Sequence, residues 1–348
     1  MQVVASREDV REFDSTAGRA ATWARASAEP GEPLARLEAS AARFLRLAEA
    51  PPRSPAALLH ATAESMHQFS ASILACEEAG LDRLMLLPHV GRLRALHARS
   101  PFVERLQTWP RGYPGDFETV EWLCDARNHA PVGTIAWAIE ECALQSPVAQ
   151  QHRNKVGLQA RAILSAVVGS PQARIASIGC GGCRDLSLIQ DYIPDHRGRF
   201  VLVDADPGAL TFARERLPRL AGRCEFVSGS VPKVLSKVLA AGPFNLVVAG
   251  GLFDYLPDRW AVATLRAVRR MLAPGGTLLF SNIAAGNPFR PWIEYLGDWT
   301  LIERDEEGVK RLIQEAGFPV DNLRVFRDST SLALMVNVTA PRDGTDAG

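Results

Sequence analysis

The chain has 348 residues, of which 47% are hydrophobic, enough for one large domain or two modest ones. Lys and Arg total 39, as do Asp and Glu, so the charge balance favours neither nucleic acid nor an anionic membrane as a partner. No apolar run approaches the roughly 20 residues of a membrane span, and the first residues lack the apolar core of a secretory signal. Six scattered cysteines do not indicate a disulfide framework. We therefore expect a cytoplasmic globular protein that binds no nucleic acid and no membrane.

The first third of the chain is predicted to be helical. Apolar residues recur at helical spacing over 32–50 and 56–79, and a third helix is predicted over 81–98 with an interruption near Pro88. Strand patterns are absent there. We predict a loose arm over 1–30 and a helical domain or lid over 31–146. This helical part could serve as a lid, as the interface of a homodimer, or as both.

A Gly- and Pro-rich segment, Pro110-Arg-Gly-Tyr-Pro-Gly-Asp116, cannot form regular helix. It predicts an ordered turn, followed by a helix with Asp116 as N-cap and Glu118 in the first turn. The turn is either an ordinary helix connection or a lid that places Tyr113 over a ligand. A further helix is predicted over 146–168, with Ser146 as N-cap and Pro147 at the first helical position.

The pattern then alternates between short apolar runs and helical segments, which predicts a doubly wound α/β sheet over 147–340. A polar tail over 341–348 is expected to be disordered. Ligands of such sheets bind outside the carboxyl ends of the strands. The predicted strands are 175–178, 200–203, 224–227, 244–249, 277–281, 323–326 and 331–338, the last two as an antiparallel pair. The predicted helices are 186–192, 207–217, 231–239, 259–272 and 306–316, with a turn at 273–276.

A glycine turn after the first predicted strand indicates a nucleoside site. Gly179 and Gly181 lie in this turn, and Asp204 ends the next strand 25 positions after Gly179. Glycines let the backbone approach a ligand, and an acid at this place accepts hydrogen bonds from ribose hydroxyls. Arg184 stands where a dinucleotide motif has its third glycine, and the alternative is a generic strand–helix turn. Cys180 and Cys183 have the C-x-x-C spacing of a metal-ligand pair. No metal site is expected, because the sequence has no second pair of ligands to complete it.

These landmarks resemble the class I S-adenosylmethionine (SAM)-dependent methyltransferases over about 173–339. They comprise Ile178-Gly-Cys-Gly181, Asp204, Gly229-Ser230, the strand 244–248 and Leu272-Ala-Pro-Gly-Gly276. Ser230 replaces the acid that usually contacts adenine in this superfamily, and Asn245 replaces another usual acid. The resemblance implies a Rossmann-like SAM-binding domain behind an N-terminal helical domain or lid.

A narrower resemblance covers roughly 101–338. The segments 111–117, His152-Arg-Asn154 and 287–299, with Arg304, resemble the group named for 3-hydroxypalmitate methyl ester biosynthesis, the extracellular factor group. The family name implies methylation of a small carboxylic acid. Homologues include lyases that cyclise SAM to azetidine-2-carboxylate. The group therefore implies SAM more firmly than it implies the acceptor.

The resemblance assigns candidate site residues, each with a structural alternative such as core packing or a surface position. The acceptor is expected to be a small molecule of secondary metabolism that is methylated on a carboxylate or hydroxyl. The catalytic candidates are Tyr113, His152 and Tyr255. The cofactor-binding candidates are Tyr113, Arg153, Gly179, Cys180, Gly181, Asp204, Ala205, Ser230, Val231 and Gly250. The substrate-binding candidates are Asn282, Arg290 and Tyr295.

Three functions follow from these assignments. The first is a small-molecule methyltransferase. The second is a SAM lyase that forms azetidine-2-carboxylate and methylthioadenosine by attack of the SAM amine on the carbon beside sulfur. The third is a non-catalytic partner with the same fold, against which the glycine turn and Asp204 argue.

Overall fold

The computed structural model describes residues 31–342, so the arm predicted over 1–30 and residues 343–348 of the predicted tail lie outside the described residues. The chain divides into two compact units. The α/β unit comprises Gln151–Gly286 and the described residues from Leu301 onward, and the helical unit comprises the described residues up to Gln150 together with Asn287–Thr300. None of the helices within 31–342 combines the length and apolar character that crossing a bilayer requires.

The helical unit is built around buried aromatic side chains, among them Phe44, Phe69 and Phe102. Several of its helices begin at side chains that accept hydrogen bonds from first-turn backbone N–H groups, as Asp116 does from Thr119 at 2.8 Å. The N-cap predicted at Asp116 is therefore confirmed. The helices are α1 (Gly31–Glu49), α2 (Pro55–Glu78), α3 (Arg83–His97), α4 (Pro101–Thr108), α5 (Phe117–Asp125) and α6 (Ile135–Gln145), with α12 (Arg290–Tyr295) later in the chain.

The structure differs from the prediction at two places in this unit. Helix α3 runs through Pro88 without interruption. Proline removes one hydrogen bond to the carbonyl four residues earlier, and that residue, Leu84, is 68% exposed, so water can replace the lost donor. Helices α4, α6 and α12 were not predicted; α4 and α12, with 8 and 6 residues, carry too few turns for a clear apolar period.

Helix α7 (Pro147–Gly169) leads into the α/β unit. Ser146 precedes it and accepts a hydrogen bond from the N–H of Ala149 at 3.2 Å, as the predicted N-cap requires. The elements that follow are β1 (Arg174–Ile178), α8 (Arg184–Ser187), β2 (Arg199–Asp204), α9 (Pro207–Arg216), β3 (Cys224–Ser228), α10 (Val231–Ala241), β4 (Phe244–Ala249), α11 (Asp258–Met271), β5 (Leu272–Ile283), α13 (Glu306–Glu315), β6 (Leu323–Arg327) and β7 (Ala333–Thr339).

The strands form one seven-stranded sheet in the order β3-β2-β1-β4-β5-β7-β6. The first five are parallel, and β7 runs antiparallel to β5 and β6. Alternate residues of the central strands face opposite layers: Val201 belongs to the buried cluster that includes side chains of α10, α11 and α13, whereas Phe200 belongs to the cluster that includes side chains of α7 and α9. The structure thus confirms a doubly wound α/β sheet with an N-terminal helical region and an antiparallel final pair.

Two predictions in this unit need correction. The helix expected over 186–192 is a single turn, α8, followed by a 3-10 turn at Gln190–Tyr192. Its end is fixed by Pro194, which pushes Ile193 into an extended conformation. The turn predicted at 273–276 lies within β5, whose pairing with β4 shifts between Phe244 and Leu246.

Candidate functional site

The strand order reverses between β1 and β4, which is where ligands bind in open α/β sheets. The parallel register brings the carboxyl ends of β1 to β4 to one edge. Eight predicted cofactor-binding residues follow these ends: Gly179, Cys180 and Gly181 after β1, Asp204 and Ala205 at β2, Ser230 and Val231 after β3, and Gly250 after β4. The structure places these residues together, and whether they bind a cofactor stays a prediction.

The glycine turn is tied to the carboxylate at the end of β2. Gly179 and Gly181 have φ of +63° and +52°, which a side chain at Cβ disfavours. The N–H of Gly181 donates to Oδ2 of Asp204 at 2.8 Å, and the N–H of Asp206 donates to Oδ1 at 2.9 Å. The backbone of Ala205 also donates to this carboxylate, which has about four acceptor positions, so Asp204 can still accept a hydrogen bond from a ligand.

Burial raises the pKa of Asp204 above its usual 3.8, although backbone hydrogen bonds from Asp206 and Gly181 oppose this shift. Hydrogen-bond donors of a ligand would therefore stabilise the charged carboxylate, because they replace the water that burial removes. In the same turn, the hydrogen bond to Cys180 and then burial raise the pKa of Cys183 well above 9.0. Within 31–342, no three His, Cys, Asp or Glu side chains are grouped to hold a metal ion.

Ser230 stands at the N-cap of α10 but makes no capping hydrogen bond. Its Oγ is buried and has no hydrogen-bond partner among the described residues. A hydroxyl can donate and accept, so Ser230 offers both possibilities to a ligand at the end of β3.

The end of β4 is crowded by α7. A Cβ built on Gly250 would lie 2.3 Å from Nε2 of Gln159, so this position admits only glycine while Gln159 keeps its place. The Gly250 carbonyl accepts a hydrogen bond from Ser281, at the neighbouring end of β5. These contacts fix the backbone at the reversal point of the sheet.

A buried ion pair lies beside this position. Nζ of Lys155 contacts Oδ2 of Asp254 at 3.0 Å, and the two side chains are 4% and 3% exposed. The other oxygen, Oδ1, accepts the N–H of Ile283. The pair thus connects α7, the segment after β4 and the end of β5.

Asn282 follows Ser281 and is engaged within the protein. Its Oδ1 accepts from Arg304 at 2.6 Å, and its Nδ2 donates to the carbonyl of Ile302 at 2.8 Å. Arg304 also donates to the carbonyl of Phe253. This buried network favours a bracing role for Asn282 over the predicted contact with substrate.

His152, Arg153 and Tyr255 belong to the α/β unit and are half-buried. Burial, together with the charges of Lys155 and Arg153, lowers the pKa of His152 well below 6.5. The imidazole is therefore neutral at physiological pH and can accept a proton.

Tyr113, Arg290 and Tyr295 belong to the helical unit. Arg290 donates to Glu77 at 3.1 Å and to Glu294 at 2.9 Å, and the fully buried Tyr295 donates its hydroxyl to Glu77 at 3.1 Å. These contacts join α2 to α12 and favour structural roles for Arg290 and Tyr295. Tyr113 lies in the turn between α4 and α5, as predicted, and is half-buried.

Sequence reasoning missed Gln151, Lys155, Gln159 and Asp254. The first three recur at intervals of four residues in α7 and are all buried. That polar periodicity is visible in the sequence, since residues four apart share one helix face. The partner of Lys155 was not visible, because Asp254 is 99 positions away.

Residues 176–278 match the family model of a methyltransferase domain. This segment begins in β1 and ends within β5. No curated protein matches the chain.

Three solved structures are similar to the chain. A possible exported protein from Bordetella parapertussis is 18% identical, with a TM-score of 0.54, over 92% of this chain and 100% of its own; this likeness shows a shared fold. CalO1, a methyltransferase in calicheamicin biosynthesis bound to SAH, is 18% identical with a TM-score of 0.42, over 88% and 94%. The magnesium protoporphyrin IX methyltransferase from Synechocystis PCC 6803, with bound SAH, is 11% identical with a TM-score of 0.43, over 56% and 86%.

Proposed function

We propose that the protein is a SAM-dependent methyltransferase that acts on the carboxylate or hydroxyl of a small molecule, in secondary metabolism. The match of residues 176–278 to a methyltransferase domain supports the reaction class. The observation that carries the cofactor assignment is Asp204, half-buried at the end of β2 and bonded to the Gly181 N–H. A nucleoside site requires a carboxylate that accepts hydrogen bonds from the ribose hydroxyls and a glycine turn that lets the backbone come close to the ligand.

The residues at the sheet edge suit SAM. Asp204 would accept hydrogen bonds from the ribose hydroxyls, and the backbone of Gly179 and Gly181 would border the sulfur-containing half. Ser230, whose buried Oγ has no partner among the described residues, would contact the adenine together with Val231.

SAM, when bound, supplies an electrophilic methyl carbon. A carboxylate acceptor attacks without losing a proton, so the protein needs only to position and desolvate it. A hydroxyl acceptor must lose a proton, and His152, held neutral by its lowered pKa, is the proposed base. Arg153 is a proposed anchor for a carboxylate.

The segments 111–117, 152–154 and 287–299 support assignment to the 3-hydroxypalmitate methyl ester group, and hence a carboxylic acid as acceptor. All six cysteines are thiols, which suits a reducing compartment, and the cytoplasm is the proposed location.

The cofactor assignment is tested by calorimetric titration with S-adenosylhomocysteine (SAH). Asp204→Ala should weaken binding at least about tenfold, because hydrogen bonds to a charged group contribute roughly 1.5–3 kcal/mol each. Asp321→Ala, which changes an exposed acid in the same unit, is the control and should bind as the wild type does. Equal affinity of the Asp204 variant would show that the ribose lies elsewhere.

A further inference from the structure

Gln151, in the second turn of α7, combines complete burial with missing partners. Its side chain is 0% exposed, yet neither Oε1 nor Nε2 has a hydrogen-bond partner among the described residues. Buried amides almost always have partners, because an unmade hydrogen bond in the interior is costly. A residue kept in this condition points to a ligand that completes its hydrogen bonds.

The position of Gln151 follows from its neighbours in α7. Lys155 and Gln159 lie four and eight residues further on and therefore share its helix face. Lys155 contacts Asp254 after β4, and Gln159 lies against Gly250 at the end of β4. Four residues of helix span about 6 Å, so Gln151 continues this line one turn beyond Lys155.

The proposed cofactor would present its methionine arm on this side. Asp204 anchors the ribose at the end of β2, and Ser230 marks the side of the base at the end of β3. The sheet order is β3-β2-β1-β4, so a nucleoside anchored in this way directs its other half toward the ends of β1 and β4. Helix α7 lies beside the end of β4, and the helix face that contacts this end is the face that carries Gln151.

The chemistry of a carboxamide fits the end of that arm. Its Nε2 donates and its Oε1 accepts, whereas an α-amino acid group offers a carboxylate that accepts and an ammonium that donates. The charge of Lys155 is already compensated by Asp254, and the amide of Gln151 is uncharged. This part of α7 therefore has no net charge, which matches a zwitterionic amino acid group. We propose that Gln151 binds the α-amino acid group of SAM. This inference rests on the proposed function.

The test compares two ligands that differ in that group and in the one methylene that joins it to the rest. SAH carries the amino acid group, and 5′-methylthioadenosine has the nucleoside and the thioether without it. In calorimetric titrations, Gln151→Met, which keeps length and removes the amide, should weaken SAH binding by about tenfold or more. Binding of 5′-methylthioadenosine should change by less than about twofold, since the hydrogen bonds to the amino acid group are absent from it. Gln314→Met, at an exposed helical glutamine of the same unit, is the control and should change neither affinity.

Thermal unfolding of the ligand-free variants separates binding from packing. Removing an unpaired buried amide should leave the melting temperature unchanged or higher, whereas a structural role would lower it. Gln151→Asn, which keeps the amide but retracts it by one methylene, should show the same selective loss of SAH. Equal losses for both ligands, or unchanged SAH affinity, would overturn the role of Gln151 while leaving the proposed function in place. A wild-type protein that binds neither ligand would overturn the proposed function itself.

Discussion

The ion pair between Lys155 and Asp254 gives the sharpest prediction about stability. Replacing Lys155 with Met removes the ammonium that compensates the buried carboxylate of Asp254, whose side chain is 3% exposed, and leaves it the hydrogen bond from the N–H of Ile283 at the end of β5. Leaving one charge of a buried pair uncompensated typically costs about 3–5 kcal/mol. For a unit of this size that corresponds to a melting temperature lower by roughly 10 °C.

Thermal and urea unfolding of the α/β unit measure this loss. The double variant Lys155→Met/Asp254→Asn removes both charges and should recover at least half of it, because an uncharged pair no longer needs compensation. The control is Lys237→Met, which breaks a pair in the same unit with Glu225, whose side chains are 57% and 46% exposed, and should cost less than about 1 kcal/mol. A Lys155→Met protein within about 1 kcal/mol of wild type would refute the reasoning, because the pair would then behave as a solvated one.

Two further predictions concern packing and pH. Gly250→Ala should displace Gln159, costing about 1–3 kcal/mol and weakening SAH binding, and Gly250→Ala/Gln159→Ala should restore both in unfolding and titration experiments. His97 has its pKa lowered by burial to about 4 from 6.5, so the unfolded chain takes up a proton first as the pH falls. The helical unit should lose up to about 3 kcal/mol between pH 6.5 and 4, and His97→Phe should remove this slope, while an unchanged slope would mean that His97 is not its source.

Most of the sheet could be predicted from the sequence. Apolar runs such as Phe244–Ala249 are largely buried, and the spacing of the Gly179 turn and Asp204 predicts their hydrogen-bonded contact from local sequence alone. Short helices such as α12 could not be predicted, because a helix of one or two turns has no measurable period.

The site was predictable where it depends on strand ends and not where it depends on pairs distant in sequence. Gly181 and Asp204 share one strand–turn–strand unit, whose geometry the spacing fixes. Arg290 was expected at the substrate, but its guanidinium pairs with Glu77, which is 213 positions away. Such a partner is chosen by the packing of α2 against α12, which no local pattern encodes.

The fate of the methyl group tests the central claim most directly. SAM with a trideuterated methyl group is incubated with the protein, alone and with a panel of free fatty acids, 3-hydroxy acids and phenols, and the products are identified by mass spectrometry. If the protein transfers the methyl group, SAH and a trideuteromethylated acceptor should form in equal amounts. Neither product should form when no acceptor is present. Labelled methylthioadenosine formed from SAM alone would contradict methyl transfer and identify a SAM lyase.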